Sequence, residues 1–385
     1  MPAFPPRVGG WRDGLDIRDS KGLGGVITSA PKGQAKCALT RAGAAKSKDG
    51  TSIAVCPCIS GIMPSMAHIT TLTLNPSVDV LTTTVQVMDT HKLRCTVPQY
   101  HPGGGGINVA RVVHRLGGSV QALWLGGGST GDQLSEMLDA EAVPHQCIAS
   151  AGPTRMGFSV HETQSGRDFR FVLPGPTADQ ESLSHILQAL RMPNPDNRFW
   201  VVSGSLPPKA PPDFYADIAR LAQTHHKKLV LDASGPALMA AMRVGVYMVK
   251  PSLREMEEAV GRELPTLLQR VAVAREWLAQ SWCALVALSM GPEGALLVTT
   301  QGTWHAPGLV VPVRSTIGAG DTFVGAFVAT LDQQYPDTTP DTLCQALRHA
   351  MAASAAALSS LGTALCQANE VEALLESVQI ISFKD

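Results

Sequence analysis

Short apolar runs at 69–74, 199–203, 229–232, 247–250 and 285–289 alternate with longer stretches of helical periodicity. Continuous apolar runs of that length suit strands buried on both faces. Their alternation with helices predicts a parallel sheet covered on both sides. A strand at 120–125, a helix at 132–141 and a short strand at 146–149 continue the pattern. The helix that follows residue 106 places Val109, Val112, Val113 and Leu116 on one face, and the alanine-rich stretch 342–358 predicts a closely packed helix. Two segments differ. Residues 80–99 alternate Val and Thr with polar positions, while 157–161 and 168–173 flank 163–167 as a hairpin would. Both read as half-exposed strands of a small separate sheet lying over one end of the large one. Residues 1–65 show neither period and are dominated by Gly, Pro, Ser and Ala, which predicts a disordered extension before a globular part at 66–385.

Composition narrows the class. A chain of 385 residues, 44% hydrophobic and 16% charged, is long enough for a substantial core. A net charge of −1 gives no overall reason to expect nucleic acid or an anionic membrane. No apolar run approaches the roughly 18 residues of a membrane span. The eight cysteines are scattered without zinc spacing, so free thiols in a reducing, cytoplasmic compartment are expected. Charge is uneven along the chain: nine Lys/Arg against four Asp/Glu in 1–65, and 22 against 28 thereafter. The basic bias fits a transit peptide, but four Asp and the lack of an amphipathic helix favour a functional chain that starts at Met66.

Candidate chemistry concentrates at Ser315-Thr316-Ile317-Gly318-Ala319-Gly320-Asp321, after an extended apolar segment at 309–313 and at the start of a helix near Ala319. Gly318 and Gly320 allow a tight turn that points backbone N–H groups at one spot, where the helix dipole adds positive charge. Asp321, in the first turn, reads either as a helix cap or as a general base. An acid beside an anion hole is what phosphoryl transfer to a hydroxyl requires. Four glycines, Gly103 to Gly106, permit close backbone approach to a ligand, and Asn108 can hydrogen-bond hydroxyls from the first turn of the helix that follows. Asp79 lies just past the first strand, where open α/β sheets bind ligands. Lys92, Arg94 and Arg155 come from the small sheet and read either as solvated surface or as a cluster meeting a phosphate. The match of 126–131 to G-x-G-x-x-G is weak, because Ser150 stands where a dinucleotide site needs an acid. Walker-loop, protein-kinase and H-E-x-x-H motifs are absent.

From about Met66 to its end the chain resembles the ribokinase-like (PfkB) carbohydrate kinases. Residues 103–108 (GGGGIN) with Gly117-Gly118, and 316–322 (TIGAGDT), are similar to the two signature motifs of that family. Within it, 72–79 (LTLNPSVD), 92–96 (KLRCT), 102–111 (PGGGGINVAR), 171–175 (FVLPG) and 203–208 (SGSLPP) resemble the minor-isozyme type of 6-phosphofructokinase. The resemblance implies a three-layer α/β/α domain with a mostly parallel central sheet. It also implies a β-sheet lid from about 80–100 and 155–174, and homodimers formed through the lids. ATP would be co-substrate with Mg²⁺, and a monovalent cation is admitted. By the same resemblance Asp321 is the base, and the amides of Gly318, Ala319 and Gly320 form the anion hole. Asp79, Gly103, Gly104, Asn108 and Ser205 would hold the sugar, with Lys92, Arg94 and Arg155 on its phosphate. Lys92, Lys250, Ser289, Gly291, Gly294, Thr316, Gly318, Gly320 and Ser354 would meet the nucleotide. The family's Asn-x-x-Glu reads here as Ser252-Leu253-Arg254-Glu255, which places Ser252 by the nucleotide and leaves Glu255 for Mg²⁺. The implied reaction is transfer of the ATP γ-phosphoryl group to O1 of fructose 6-phosphate, with tagatose-6-phosphate kinase and 1-phosphofructokinase as alternatives. A non-catalytic sugar-phosphate or nucleotide sensor on the same fold is disfavoured by the intact 318–321 set.

Overall fold

The computed structural model describes residues 66–89 and 91–383, so the extension expected at 1–65 lies outside the described residues. The chain begins with β1 (Ile69–Thr73), β2 (Ser77–Thr84), β3 (Gln99–Gly103), α1 (Gly105–Arg115), β4 (Val120–Gly126), α2 (Gly128–Ala140) and β5 (His145–Ala149). It continues through β6 (Arg155–Glu162), β7 (Arg167–Val172), α3 (Gln180–Arg191), β8 (Phe199–Ser203), α4 (Phe214–Thr224), β9 (Lys228–Asp232), α5 (Gly235–Val244) and β10 (Val246–Val249). The last part comprises α6 (Leu253–Val260), α7 (Leu267–Ala279), β11 (Cys283–Ser289), β12 (Ala295–Thr299), β13 (Thr303–Ala306), α8 (Ala319–Gln333), α9 (Pro340–Leu358), α10 (Ala368–Leu375) and β14 (Ile381–Ser382).

A ten-stranded sheet runs in the order β14-β13-β12-β11-β10-β9-β8-β1-β4-β5. It is parallel from β11 to β5, while β12, β13 and β14 add an antiparallel edge. Side chains alternate across it. Val201 and Val230 join the core under α1, α2, α8, α9 and α10, whereas Val202 and Leu231 join the core under α3 to α7. This is the α/β/α arrangement with a mostly parallel sheet that the apolar pattern predicts. From β1 the chain builds first toward β5 and then toward β11, so the strand order reverses between β1 and β8. Ligands of open α/β sheets bind outside the carboxyl ends at such a reversal. Among the described residues no helix is long and apolar enough to cross a membrane.

The small sheet has four strands in the order β3-β2-β6-β7. Its register places Ser77, Asp79, His101, Gly103, Arg155, Gly157 and Arg170 on one face, and Val78, Val80, Tyr100, Phe158 and Phe171 on the other.

Several expectations need correction. The segment 80–99 is not one strand: β2 starts at Ser77 and ends at Thr84, and 85–89 and 91–98 have no regular structure. Val85 and Val97 there are exposed, so the alternation has no surface to bury. The glycine run does not simply break the chain, because Gly103 ends β3 and Gly105 opens α1. Asp79 lies past the end of β1, as expected, but within a second strand, β2. The segment 309–313 forms no strand and leaves Val310 fully exposed; the antiparallel pair β12–β13 before it was not expected. The helix expected at 132–141 starts at Gly128, and the glycine-rich turn before it is filled by protein. Gly127 N donates to Thr154 Oγ1 at 3.2 Å, and a Cβ at Gly128 would lie 2.9 Å from Pro153.

Candidate active site

The carboxyl ends of β8, β9 and β10 meet the N-terminus of α8. Gly318 is the N-cap of α8 with φ 77°, a left-handed conformation that suits glycine, and Asp321 falls in the first turn. Asp321 Oδ2 accepts from Asn108 Nδ2 at 2.9 Å, and its Oδ1 accepts from Ser203 Oγ at 3.3 Å. Ser203 Oγ also lies 3.3 Å from Asp232 Oδ2, and Lys250 Nζ pairs with Asp232 Oδ1 at 3.0 Å. Burial, and then the nearby Asp232 carboxylate, push Asp321 up to about 6, against the opposing pull of Asn108, Lys250 and Ser203. For Lys250, burial works against the charge, but the carboxylates of Asp232, Glu255 and Asp321 outweigh it and hold the ammonium above its usual range. The first turn of α8 thus presents backbone N–H groups and a carboxyl of raised proton affinity side by side.

Glycines bring the chain into this contact. A Cβ at Gly105 would strike Ser203 Oγ, and one at Gly106 would lie 2.5 Å from the Leu72 carbonyl, so α1 seats directly on β1 and β8. That close seating carries Asn108 to Asp321. A Cβ at Gly320 would lie 3.2 Å from Lys250 Nζ.

On the polar face of the lid, Asp79 Oδ1 accepts from Ser77 Oγ at 2.7 Å. Cβ atoms at Gly103 or Gly157 would collide with the Asp79 carboxylate, so both neighbouring strands leave room for it. Burial raises the Asp79 proton affinity, opposed by Ser77 and by the charges of Arg170, Arg155 and His101. The three basic residues read from the sequence are not drawn together here. Arg155 is half-buried and already donates to the carbonyls of Asn75 (3.0 Å) and Leu173 (3.2 Å). Lys92 and Arg94 lie exposed in the irregular segment and form no ion pair among the described residues. Ser205 Oγ accepts from Asn75 Nδ2 at 3.1 Å, beside a 220 Å³ cavity between the loops after β8 and β9.

Apart from Lys92, the residues expected at a nucleotide are distributed around the ends of β10 and β11 and the start of α8, with Ser354 on α9. Ser252 caps α6 in a capping box: Glu255 N donates to Ser252 Oγ at 3.3 Å and Ser252 N to Glu255 Oε2 at 2.7 Å. Ser289 N donates to the Pro251 carbonyl at 3.0 Å, joining the two loops. Gly291 has open space where a Cβ would stand, and Thr316 is exposed. Gly294 is needed for packing, since a Cβ there would meet the Ala306 carbonyl of β13. Ser354 Oγ donates to the Ala319 carbonyl at 3.0 Å, tying α9 to the first turn of α8. Among the described residues no three His, Cys, Asp or Glu side chains are grouped to hold a metal ion. Glu255, with one oxygen engaged in its cap, fits an ion that arrives with a ligand and not one held by protein alone.

Sequence reasoning overlooked Ser203, Asp232, Gly157 and Arg170. Ser203 and Asp232 are the last residues of β8 and β9, and that position at the carboxyl end of a parallel strand was the available signal.

Comparison with known proteins bears on the family and the fold. The family model described as pfkB family carbohydrate kinase matches residues 72–370. The ATP-dependent 6-phosphofructokinase isozyme 2 of Mycobacterium tuberculosis (strain ATCC 25618 / H37Rv) is 39% identical over 309 residues, covering 80% of this chain and 89% of its own. The isozyme 2 of Escherichia coli (strain K12) is 35% identical over 308 residues, covering 80% and 97%. The crystal structure of phosphofructokinase-2 from Escherichia coli in complex with fructose-6-phosphate superposes with a TM-score of 0.74 at 34% identity, over 81% of this chain and 99% of that one. By fold, motif and similarity alike, the chain belongs to the pfkB family of carbohydrate kinases.

Proposed function

We propose that this kinase transfers the γ-phosphoryl group of ATP to O1 of fructose 6-phosphate, giving fructose 1,6-bisphosphate and ADP. The observation that carries the reading is Asp321, a carboxyl raised to about 6 in the same helical turn as the Gly318–Gly320 amides. Asp321 takes the proton of the sugar O1 hydroxyl as the O1–phosphorus bond forms and the bond from the γ-phosphorus to the β-phosphate oxygen breaks. The amides of Gly318, Ala319 and Gly320 hold the charge on the transferring group. Asp79, Gly103, Gly104, Asn108 and Ser205 seat the sugar, and Arg155, Lys92 and Arg94 meet its phosphate once the irregular segment folds over the site. Lys250, Ser252, Ser289, Gly291, Thr316 and Ser354 border the nucleotide. Glu255 is the side chain that would hold a Mg²⁺ ion arriving with ATP, through water, and such an ion would supply neutralisation of phosphate charge. Similarity to two isozyme 2 proteins over nearly their whole length supports the choice of fructose 6-phosphate.

Assembly follows the same reading. The apolar lid face exposes Tyr100 and Phe171, with Val80 and Phe158 between them, and it pairs two copies. A coupled ADP-release assay across fructose 6-phosphate, tagatose 6-phosphate and fructose 1-phosphate tests the substrate. The highest kcat/KM belongs to fructose 6-phosphate, and a higher value for either of the others overturns that choice.

A further inference from the structure

Arg111 sits one helical turn beyond Asn108 in α1 and is 1% exposed. A guanidinium buried to that degree is costly unless its charge and its N–H groups are satisfied. Here they are. Nη2 reaches Glu141 Oε1 at 2.6 Å and Nε reaches the same carboxylate at 3.0 Å. Nη1 donates to three oxygens: the Pro102 carbonyl in β3 at 3.1 Å, Asn108 Oδ1 at 3.3 Å and the Thr363 carbonyl at 3.0 Å.

Two consequences reach the reacting centre. Because Asn108 Oδ1 accepts from Arg111, Nδ2 is the atom left to face Asp321; the flipped amide would set an oxygen against the carboxylate. The second runs through the loop at 362–366. Arg115, sharing Glu141 at 2.9 Å, donates to the Ala364 and Cys366 carbonyls. Leu365 between them is buried with φ 60°, a strained conformation for leucine that persists only where its surroundings fix it. It packs against the α8 turn: a Cβ at Gly318 would lie 2.6 Å from Leu365 Cδ2. In the same loop a Cβ at Gly362 would lie 3.0 Å from Leu81 of the lid.

We propose that Arg111, balanced by Glu141, is a positioning residue for the reacting centre: it fixes the Asn108 amide toward Asp321 and holds the 362–366 loop against the Gly318 turn. Its effect on turnover rests on the proposed phosphoryl transfer; its effect on Asp321 does not. Asp321 is faced by Asn108 from α1, Ser203 from β8, Asp232 from β9 and Lys250 after β10. Arg111 is faced by Glu141 after α2, Arg115 from its own helix, and His101 and Asp79 from the lid.

The test uses Arg111→Lys, which keeps a cation for Glu141 but cannot span three acceptors. It also uses Arg111→Met with Glu141→Met, which leaves no lone charge buried between the two positions. A ¹³C-carboxyl NMR titration, with the Asp321 signal assigned by its loss in Asp321→Asn, needs no substrate. The Asp321 carboxyl titrates at higher pH in the variants than in the wild type, because the Asn108 N–H no longer steadies the ionised form. With fructose 6-phosphate and ATP, kcat falls about 100-fold, the scale of a small misplacement of reacting groups. A folded variant with unchanged Asp321 titration and unchanged kcat overturns the proposal. A wild type that transfers no phosphoryl group refutes the functional reading, while the titration still decides the role of Arg111.

Discussion

Asn108 Nδ2 donates to Asp321 Oδ2 at 2.9 Å, joining the glycine-rich turn of α1 to the first turn of α8 across 213 positions of sequence. The bond places the acid beside the amides of α8 and favours its ionised form. Burial and Asp232 act in the opposite direction and prevail.

The first prediction follows from that balance. A base must be deprotonated to accept a proton, so kcat rises with pH through about 6 and levels off above it. Asp321→Asn lowers kcat by about three powers of ten with little change in KM, and the acidic limb disappears from what activity remains. A pH–rate profile of both proteins checks this; a wild-type limb near pH 4 would contradict the raised Asp321.

Much of this centre was legible because both halves carry glycine signatures, and the strands of the large sheet are continuous apolar runs. What was not legible depends on contacts between distant segments. Ser203 and Asp232 each look like an ordinary strand end, and only the convergence of β8, β9 and α8 joins them to Asp321. Arg155 reads as a free cation in sequence, yet the Asn75 and Leu173 carbonyls already engage it. The run 309–313 is more apolar than β13, but pairing with β12 and β14 decided which of the two became a strand.

Gly157 leaves room for the Asp79 carboxylate, since a Cβ there would lie 2.9 Å from Oδ1. Gly157→Ala therefore displaces Asp79 and raises KM for the sugar phosphate about 10-fold, or about 1.4 kcal/mol of binding, while kcat changes less. Initial-rate kinetics measure this, and an unchanged KM would remove Asp79 from the sugar site.

Ser252 departs from the family pattern yet keeps a capping function. Both Ser and Asn cap helices well, so Ser252→Asn leaves stability nearly unchanged, whereas Ser252→Ala costs about 1 kcal/mol. Urea unfolding separates the two, and equal midpoints for Ser252→Ala and the wild type would show that the capping box contributes nothing.

If the apolar lid face pairs two copies, a charge placed on it separates them. Phe171→Asp sediments as a monomer while the wild type sediments as a dimer. A dimeric Phe171→Asp would move the interface elsewhere.

The central claim is the transfer of a phosphoryl group to a ketose-phosphate hydroxyl, and ³¹P NMR of the wild type with ATP, Mg²⁺ and fructose 6-phosphate reads it directly. The account predicts loss of the γ-phosphate signal, appearance of ADP, and a second sugar phosphomonoester resonance coupled to the protons on C1. Release of inorganic phosphate alone, or ATP left intact, would contradict it.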